Sequence, residues 1–327
     1  MRQLDKAEEA FKKEIELAPD DIDGYKGLSF VYDYQHKFDQ VLELIDTMIK
    51  MEKDPERISD YHFRRHKMYA RLGEPLGAIL ALDECEKASP NRYYVFPAKF
   101  DIYANYGMWK AIERLFKEWK ASKKDLEDCH SKEIYYYLLN EKINEAKKLL
   151  KRYGVSLDDD NLFDRKRNIL EYEGDYQGIV AMFEERLIKD PKDSLALVNM
   201  AGAYKHLNND EKAKEYAAKA LEILEEKVID NKAYEPLYRT RMITVLGILG
   251  RREEALAMVQ FVHSIHFCDS CVETSCKDAD IFEMELYDLL GEYDKAYEMA
   301  LKGRKSNPGE FDYIVEMKRL KDRGYLK

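Results

Sequence analysis

No run of eighteen apolar residues occurs in this chain of 327 residues, so no segment has the length and hydropathy of a membrane-spanning helix. The opening stretch MRQLDKAEEAFKKEIELAP is charged from its start and lacks the apolar core of a secretory signal. Glycine (15) and proline (8) are scarce while 45% of residues are apolar and 36% charged, a balance that fits a soluble, all-helical chain. Five cysteines are too few to staple a chain of this size, and a reducing cytosol, the expected location, disfavours structural disulfides. A net charge of -10 argues against a duplex-binding surface, which needs Lys and Arg clusters that acidic neighbours do not cancel. Catalytic signatures are missing too: there is no G-x-x-x-x-G-K-[ST], no G-x-G-x-x-G after a strand, no H-E-x-x-H and no G-x-S-x-G. The chain therefore reads as a non-enzyme.

What it does have is an internal repeat. Segments such as LDKAEEAFKKEIELAP, GEPLGAILALDECEKASP and EYDKAYEMALKGRKSNP align with one small or apolar residue in register: Ala7, Val41, Ala78, Ile112, Ala146, Ile179, Ala213, Ala255 and Ala296. Successive separations are 34, 37, 34, 34, 33, 34, 42 and 41 residues, and Pro19, Pro90, Pro191 and Pro308 each stand twelve after a register residue. Between these segments lie others, such as SLALVNMAGAYKHLNN, whose apolar and aromatic residues recur at helical spacing and which end in Gly or Asn. The unit is a helix, a turn and a helix.

This pattern resembles the tetratricopeptide repeat (TPR) family over essentially the whole chain. The match is closest at residues 194 to 227, where Leu197, Met200, Ala201, Tyr204, Ala213, Ala217 and Ala220 occupy the family's signature positions. The resemblance implies an all-α, right-handed superhelical solenoid of helical hairpins with a C-terminal cap helix. Residues 1–20 then form a leading half repeat with only its second helix, 21–308 eight hairpins, and 309–327 the cap, with Phe311, Ile314, Met317 and Leu320 on its apolar face and a solvated polar face opposite. A hairpin cannot bury its apolar face alone, so an uncovered leading helix (Leu4, Ala7, Phe11, Ile15) is expected to fray or to support self-association.

The resemblance also implies a peptide or protein partner in a concave groove lined by the first helix of each repeat. By register that groove carries Lys26, Phe30, Tyr34, Lys67, Arg71, Asp101, Asn105, Tyr135, Asn168, Tyr172, Asn199 and His206. RISDYHFRRHKMYARLG is the most basic helix and could hold an acidic peptide through Arg64, Arg65, Lys67 and Arg71, with a solvated face as the alternative. Family members that clamp a chaperone's acidic tail carry Lys and Asn at positions where this chain has Lys26 and Phe30, which argues against that ligand. An RNA-binding array is disfavoured as well, because the register places Asp101, Asp164 and Glu171 in the groove.

One stretch departs from the repeat. HSIHFCDSCVETSC, residues 263 to 276, lies where the register expects a short polar turn and gathers three cysteines and two histidines. Cys268, Cys271 and Cys276 with His266, and His263 in reserve, match the donor count of a closed structural zinc site. A thiol switch and uncoordinated thiols are the alternatives. Cys85 reads as a small core residue. Two functional readings follow: a cytoplasmic TPR adaptor or scaffold with a zinc-pinned loop, or a non-catalytic TPR domain of a larger protein whose cysteines act as a thiol switch.

Overall fold

A computed structural model describes residues 2–90, 92–122, 127–154, 160–230, 234–265 and 277–325. Two compact units divide it, one through Tyr103 and one from Ala104 onward. The first holds α1 (Arg2–Leu17), α2 (Ile22–Tyr34), α3 (Phe38–Met51), α4 (Pro55–Arg71), α5 (Pro75–Ala88) and most of α6 (Val95–Asn105). The second begins with α7 (Trp109–Ser122), α8 (Glu127–Leu139), α9 (Ile143–Tyr153), α10 (Asp160–Glu173), α11 (Tyr176–Lys189) and α12 (Ser194–His206). It continues through α13 (Asp210–Asp230), α14 (Glu235–Ile248), α15 (Arg252–Ile265), α16 (Lys277–Leu289), α17 (Tyr293–Ser306) and α18 (Asp312–Asp322). Among the described residues there is no strand, and each unit is an all-α solenoid of helical hairpins packed in chain order.

The turns explain why the repeat is so regular. Within each hairpin one residue adopts a left-handed backbone: His36, Gly73, Gly107, Glu141, Gly174, Asn208, Gly250 and Gly291. Every one lies five residues before a register residue. The following amide closes a helix-ending bond, as in Glu74 N to Tyr69 O at 2.8 Å and Arg251 N to Leu246 O at 2.9 Å, so the last carbonyls of the first helix are satisfied as the chain reverses. Aspartate starts several helices; Asp193 accepts from the amides of Leu195 and Ala196 at 2.9 and 3.1 Å. The register residues from Val41 to Ala296 are all buried, because the second helix must approach its neighbours closely at that point.

In the first unit, Leu28, Tyr32, Val41, Ile45, Met48 and Met68 form a core on which Phe11 and Ile15 of α1 pack. Gly27 admits the Phe11 ring where a Cβ would meet it at 2.1 Å. The outer face of α1 stays open: Leu17 is exposed, and Leu4, Ala7, Phe11 and Ile15 are half-buried. Cys85 and Cys129 are buried free thiols, and Cys85 meets Ser59 Oγ at 3.1 Å. The longest spacing in the repeat falls where α13 runs for 21 residues.

The cap helix differs from its expectation on one side. Phe311, Ile314 and Leu320 are buried as an apolar face should be. The opposite face is not simply solvated: Glu316 is buried, and Arg319 and Arg323 both reach the buried carboxylate of Asp288 on α16. Neighbouring repeats wrap far enough around this helix to cover both sides, so its charges are paired rather than hydrated.

Candidate functional site

In the second unit the chain's own C-terminal segment lies against the first helices α8, α10 and α16. Tyr135 on α8 is the anchor: its hydroxyl donates to the carbonyl of Gly309 at 3.0 Å and accepts from the amide of Phe311 at 3.1 Å. Burial pushes that phenol far above its usual range, with Glu310 and Asp312 adding to the effect, so it stays protonated and can donate. Arg165 stacks over the same ring at 4.1 Å. Tyr172 on α10 stacks on Phe311 with centroids 5.9 Å apart. Gly309 packs so closely on Asn105 that a Cβ there would fall 2.5 Å from Asn105 Oδ1. Arg304 donates to the Leu139 carbonyl at 3.1 Å. Tyr135 thus pairs two main-chain groups of the chain's own C-terminal segment, at Gly309 and Phe311.

Next to this contact is a cavity of about 470 Å³ lined by α10, α11, α12, α14, α16 and α18. Its apolar walls include Ile179, Phe183, Val198, Leu237 and Phe282, and Asn199 faces it from α12. Most of its charges are partnered. Arg167 meets Glu171 at 3.1 Å and Asp164 at 3.7 Å, and Arg319 meets Glu316 at 2.6 Å and Tyr176 Oη at 3.2 Å. Three are not: among the described residues Arg241, Glu285 and Asp312 have neither a side-chain hydrogen bond nor an ion pair. Burial depresses the Arg241 guanidinium, with Asp193 acting in the opposite sense. Burial raises the Glu285 carboxyl to about 8, helped by the negative charges of Asp312 and Glu171 against Arg319 and Arg167. At neutral pH Arg241 is thus a cation without an ion pair and Glu285 a mostly protonated acid beside Asp312.

His206 closes one end of this region. It stacks on Tyr176 with centroids 4.6 Å apart and lies 3.3 Å from Arg323 through Nδ1. Burial, together with Arg319 and Arg323, holds its imidazole well below the usual range, so it is neutral and can accept from Arg323.

Among the residues expected in a groove, the structure places Tyr135, Tyr172, Asn199 and His206 on the first helices α8, α10 and α12. Asn199 donates to Leu195 O at 2.8 Å, and Asn168 is buried. Asn105 lies under Gly309. In the first unit, Lys26, Phe30 and Tyr34 follow one face of α2, with Phe30 55% and Tyr34 74% exposed and Lys26 paired with Asp23 at 3.2 Å. Arg64, Arg65 and Arg71 of the basic helix α4 pair with carboxylates on α2 and α3. Arg64 and Arg71 both reach Asp33, and Arg65 reaches Asp46 at 3.0 Å. Arg64 also caps the Phe30 ring at 4.2 Å, and Lys67 lies over Phe63. Asp101 is exposed on α6. Sequence reading missed Arg241, Glu285 and Asp288. The 42- and 41-residue spacings blur the register there, although carrying it one repeat past His206 would have reached α14.

Of the expected metal ligands, Cys268, Cys271, Cys276 and His266 lie outside the described residues. His263 is described, at the end of α15, and its ring turns to α16. Nε2 is 3.2 Å from Glu283 Oε2 and 3.8 Å from Asp280 Oδ1. Burial holds the Asp280 carboxyl above its usual range, with His263 and Lys302 opposing.

No family model and no curated protein matches the chain. Among solved structures it is similar to one described as "Crystal structure of YrrB: a TPR protein with an unusual peptide-binding site". The two share 16% identity over 66% of this chain and 93% of that one, with a TM-score of 0.31. Among the described residues no helix is long and apolar enough to cross a membrane.

Proposed function

We propose that the chain is a non-catalytic, TPR-like scaffold whose second unit binds a polypeptide segment in the cavity beside its own C-terminal segment. One observation carries this: the 470 Å³ cavity holds two half-buried groups of opposite kind with neither hydrogen bond nor ion pair, Arg241 and Glu285, beside a contact in which Tyr135 hydrogen-bonds backbone. A ligand that fills the cavity takes these groups out of water and is favoured when it pairs them, since groups covered without a partner cost stability. Arg241 suits a carboxylate of the partner, and Glu285 suits an amide, hydroxyl or basic donor. The apolar walls suit one or two side chains, since cavities of this scale hold a few groups rather than a domain.

Peptides selected from a random library against the whole chain test the reading. Binding is expected to weaken at least about tenfold in Arg241→Gln, the loss of a charge-assisted hydrogen bond, and about fivefold in Glu285→Ala, the loss of a neutral one. Selected peptides that bind both variants as well as the parent would place the site elsewhere. The spacing of Cys268, Cys271 and Cys276 with His266 supports a structural zinc in that loop as a separate proposal, and a cytoplasmic setting suits its thiols.

A further inference from the structure

The two helices that flank the cysteine-rich stretch bring three other donors together. His263 ends α15; Asp280 and Glu283 stand three apart on α16, one above the other on the same helix face. One ligand atom from each lies within 4.8 Å of the others. The hydrogen bonding leaves the group incomplete. A neutral imidazole has a single N–H, and Nε2 can give it to Glu283 Oε2 at 3.2 Å, but Asp280 Oδ1 at 3.8 Å is beyond hydrogen-bond reach. Asp280 has no hydrogen bond among the described residues. Glu283 is oriented from behind, because Tyr287 Oη donates to its other oxygen at 3.1 Å and leaves Oε2 aimed at the imidazole.

We propose that His263, Asp280 and Glu283 form a binding site for a divalent first-row transition ion, best matched by zinc, distinct from any site built on the cysteines. An ion bonded at about 2.0 to 2.1 Å to nitrogen and carboxylate oxygen in tetrahedral geometry sets its ligand atoms roughly 3.4 Å apart. The His263 separations of 3.2 and 3.8 Å bracket that edge. One imidazole and two carboxylates is a borderline-to-hard donor set, which favours zinc, cobalt or nickel over thiolate-seeking ions. The Tyr287 bond to Glu283 is the outer-shell support that fixes a ligating carboxylate. Three protein ligands leave a fourth position for water, unlike a closed four-ligand structural site. Of the nearby cations on α17, Lys302 acts on Asp280 from a distance and Lys295 lies over the Tyr287 ring; among the described residues neither pairs with Asp280 or Glu283.

The test uses the whole chain, stripped of metal and titrated with zinc chloride. The parent protein, a Cys268→Ser/Cys271→Ser/Cys276→Ser variant, and that variant carrying His263→Gln or Glu283→Gln are compared. The triple-serine protein is expected to keep about one zinc per chain, and either added substitution to weaken it at least about tenfold, as the loss of one metal ligand does. Cobalt in the triple-serine protein should give a visible spectrum without a thiolate charge-transfer band. Matching far-ultraviolet spectra of the metal-free proteins separate loss of binding from loss of fold. A triple-serine protein that binds no zinc, or binds it as well after His263→Gln, overturns the assignment.

Discussion

The hydroxyl of Tyr135 donates to the carbonyl of Gly309, 174 residues away in the chain, at 3.0 Å. Together with the Phe311 amide, this ties the C-terminal segment to α8, next to the proposed partner's cavity. Tyr135→Phe removes the hydroxyl and leaves two buried backbone groups without a partner. The expected cost is about 1 to 3 kcal/mol. Hydrogen exchange should quicken across 307–325 and stay unchanged in α2–α5, because coupling in a solenoid runs mainly between neighbours.

Glu285 gives the fold a pH dependence with a definite sign. Its carboxyl is raised from 4.5 to about 8, so over that window the folded state keeps a proton that the unfolded state has released. Its contribution is fully present below the unfolded value and is lost as pH rises through about 8. Glu285→Gln, which keeps a neutral amide there, should match the parent's thermal midpoint near pH 4 and exceed it near pH 9. Equal midpoints at both ends would show that the carboxyl is not held neutral.

The left-handed turns allow a cleaner test of backbone strain. Gly250 has a φ of 75°, and a Cβ added there would meet no atom within 4 Å, so Gly250→Ala changes conformational cost and little else. It should destabilise by about 1 kcal/mol. Glu141, at φ 56° in the equivalent turn, already bears that cost. Glu141→Gly should be neutral or stabilise by up to about 1 kcal/mol in denaturant unfolding, the strain relieved exceeding the entropy lost.

Gly27 is a steric case instead. A Cβ there would fall 2.1 Å from Phe11 Cε1, so Gly27→Ala should push α1 off α2 at a cost of about 1 to 3 kcal/mol. Phe11→Leu in the same chain should recover part of the loss. Limited proteolysis within residues 2–17 reports the outcome directly.

The repeat itself was legible in the sequence, down to the residue. A helical hairpin is a local structure, and its reversal places a left-handed residue five positions before a buried small or apolar one. That spacing recurs in the one-dimensional string as Gly73, Gly107, Gly174, Gly250 and Gly291 ahead of Ala78, Ile112, Ile179, Ala255 and Ala296. The apolar face of α18 was legible for the same reason, since helical period alone fixes which residues share a face. Charge pairing was not. Arg64 and Arg71 look like a basic patch in the string, yet Asp33, 31 and 38 residues earlier, takes both. Asp288 and Arg323, Tyr135 and Gly309, His263 and Glu283 are likewise brought together only by the stacking of hairpins. Composition and period determine that hairpins form and which side of each is buried. Which charges meet across them, and which are left unpaired like Arg241 and Glu285, depends on the small rotation between successive hairpins, a tertiary quantity set by the packing of every side chain at each interface.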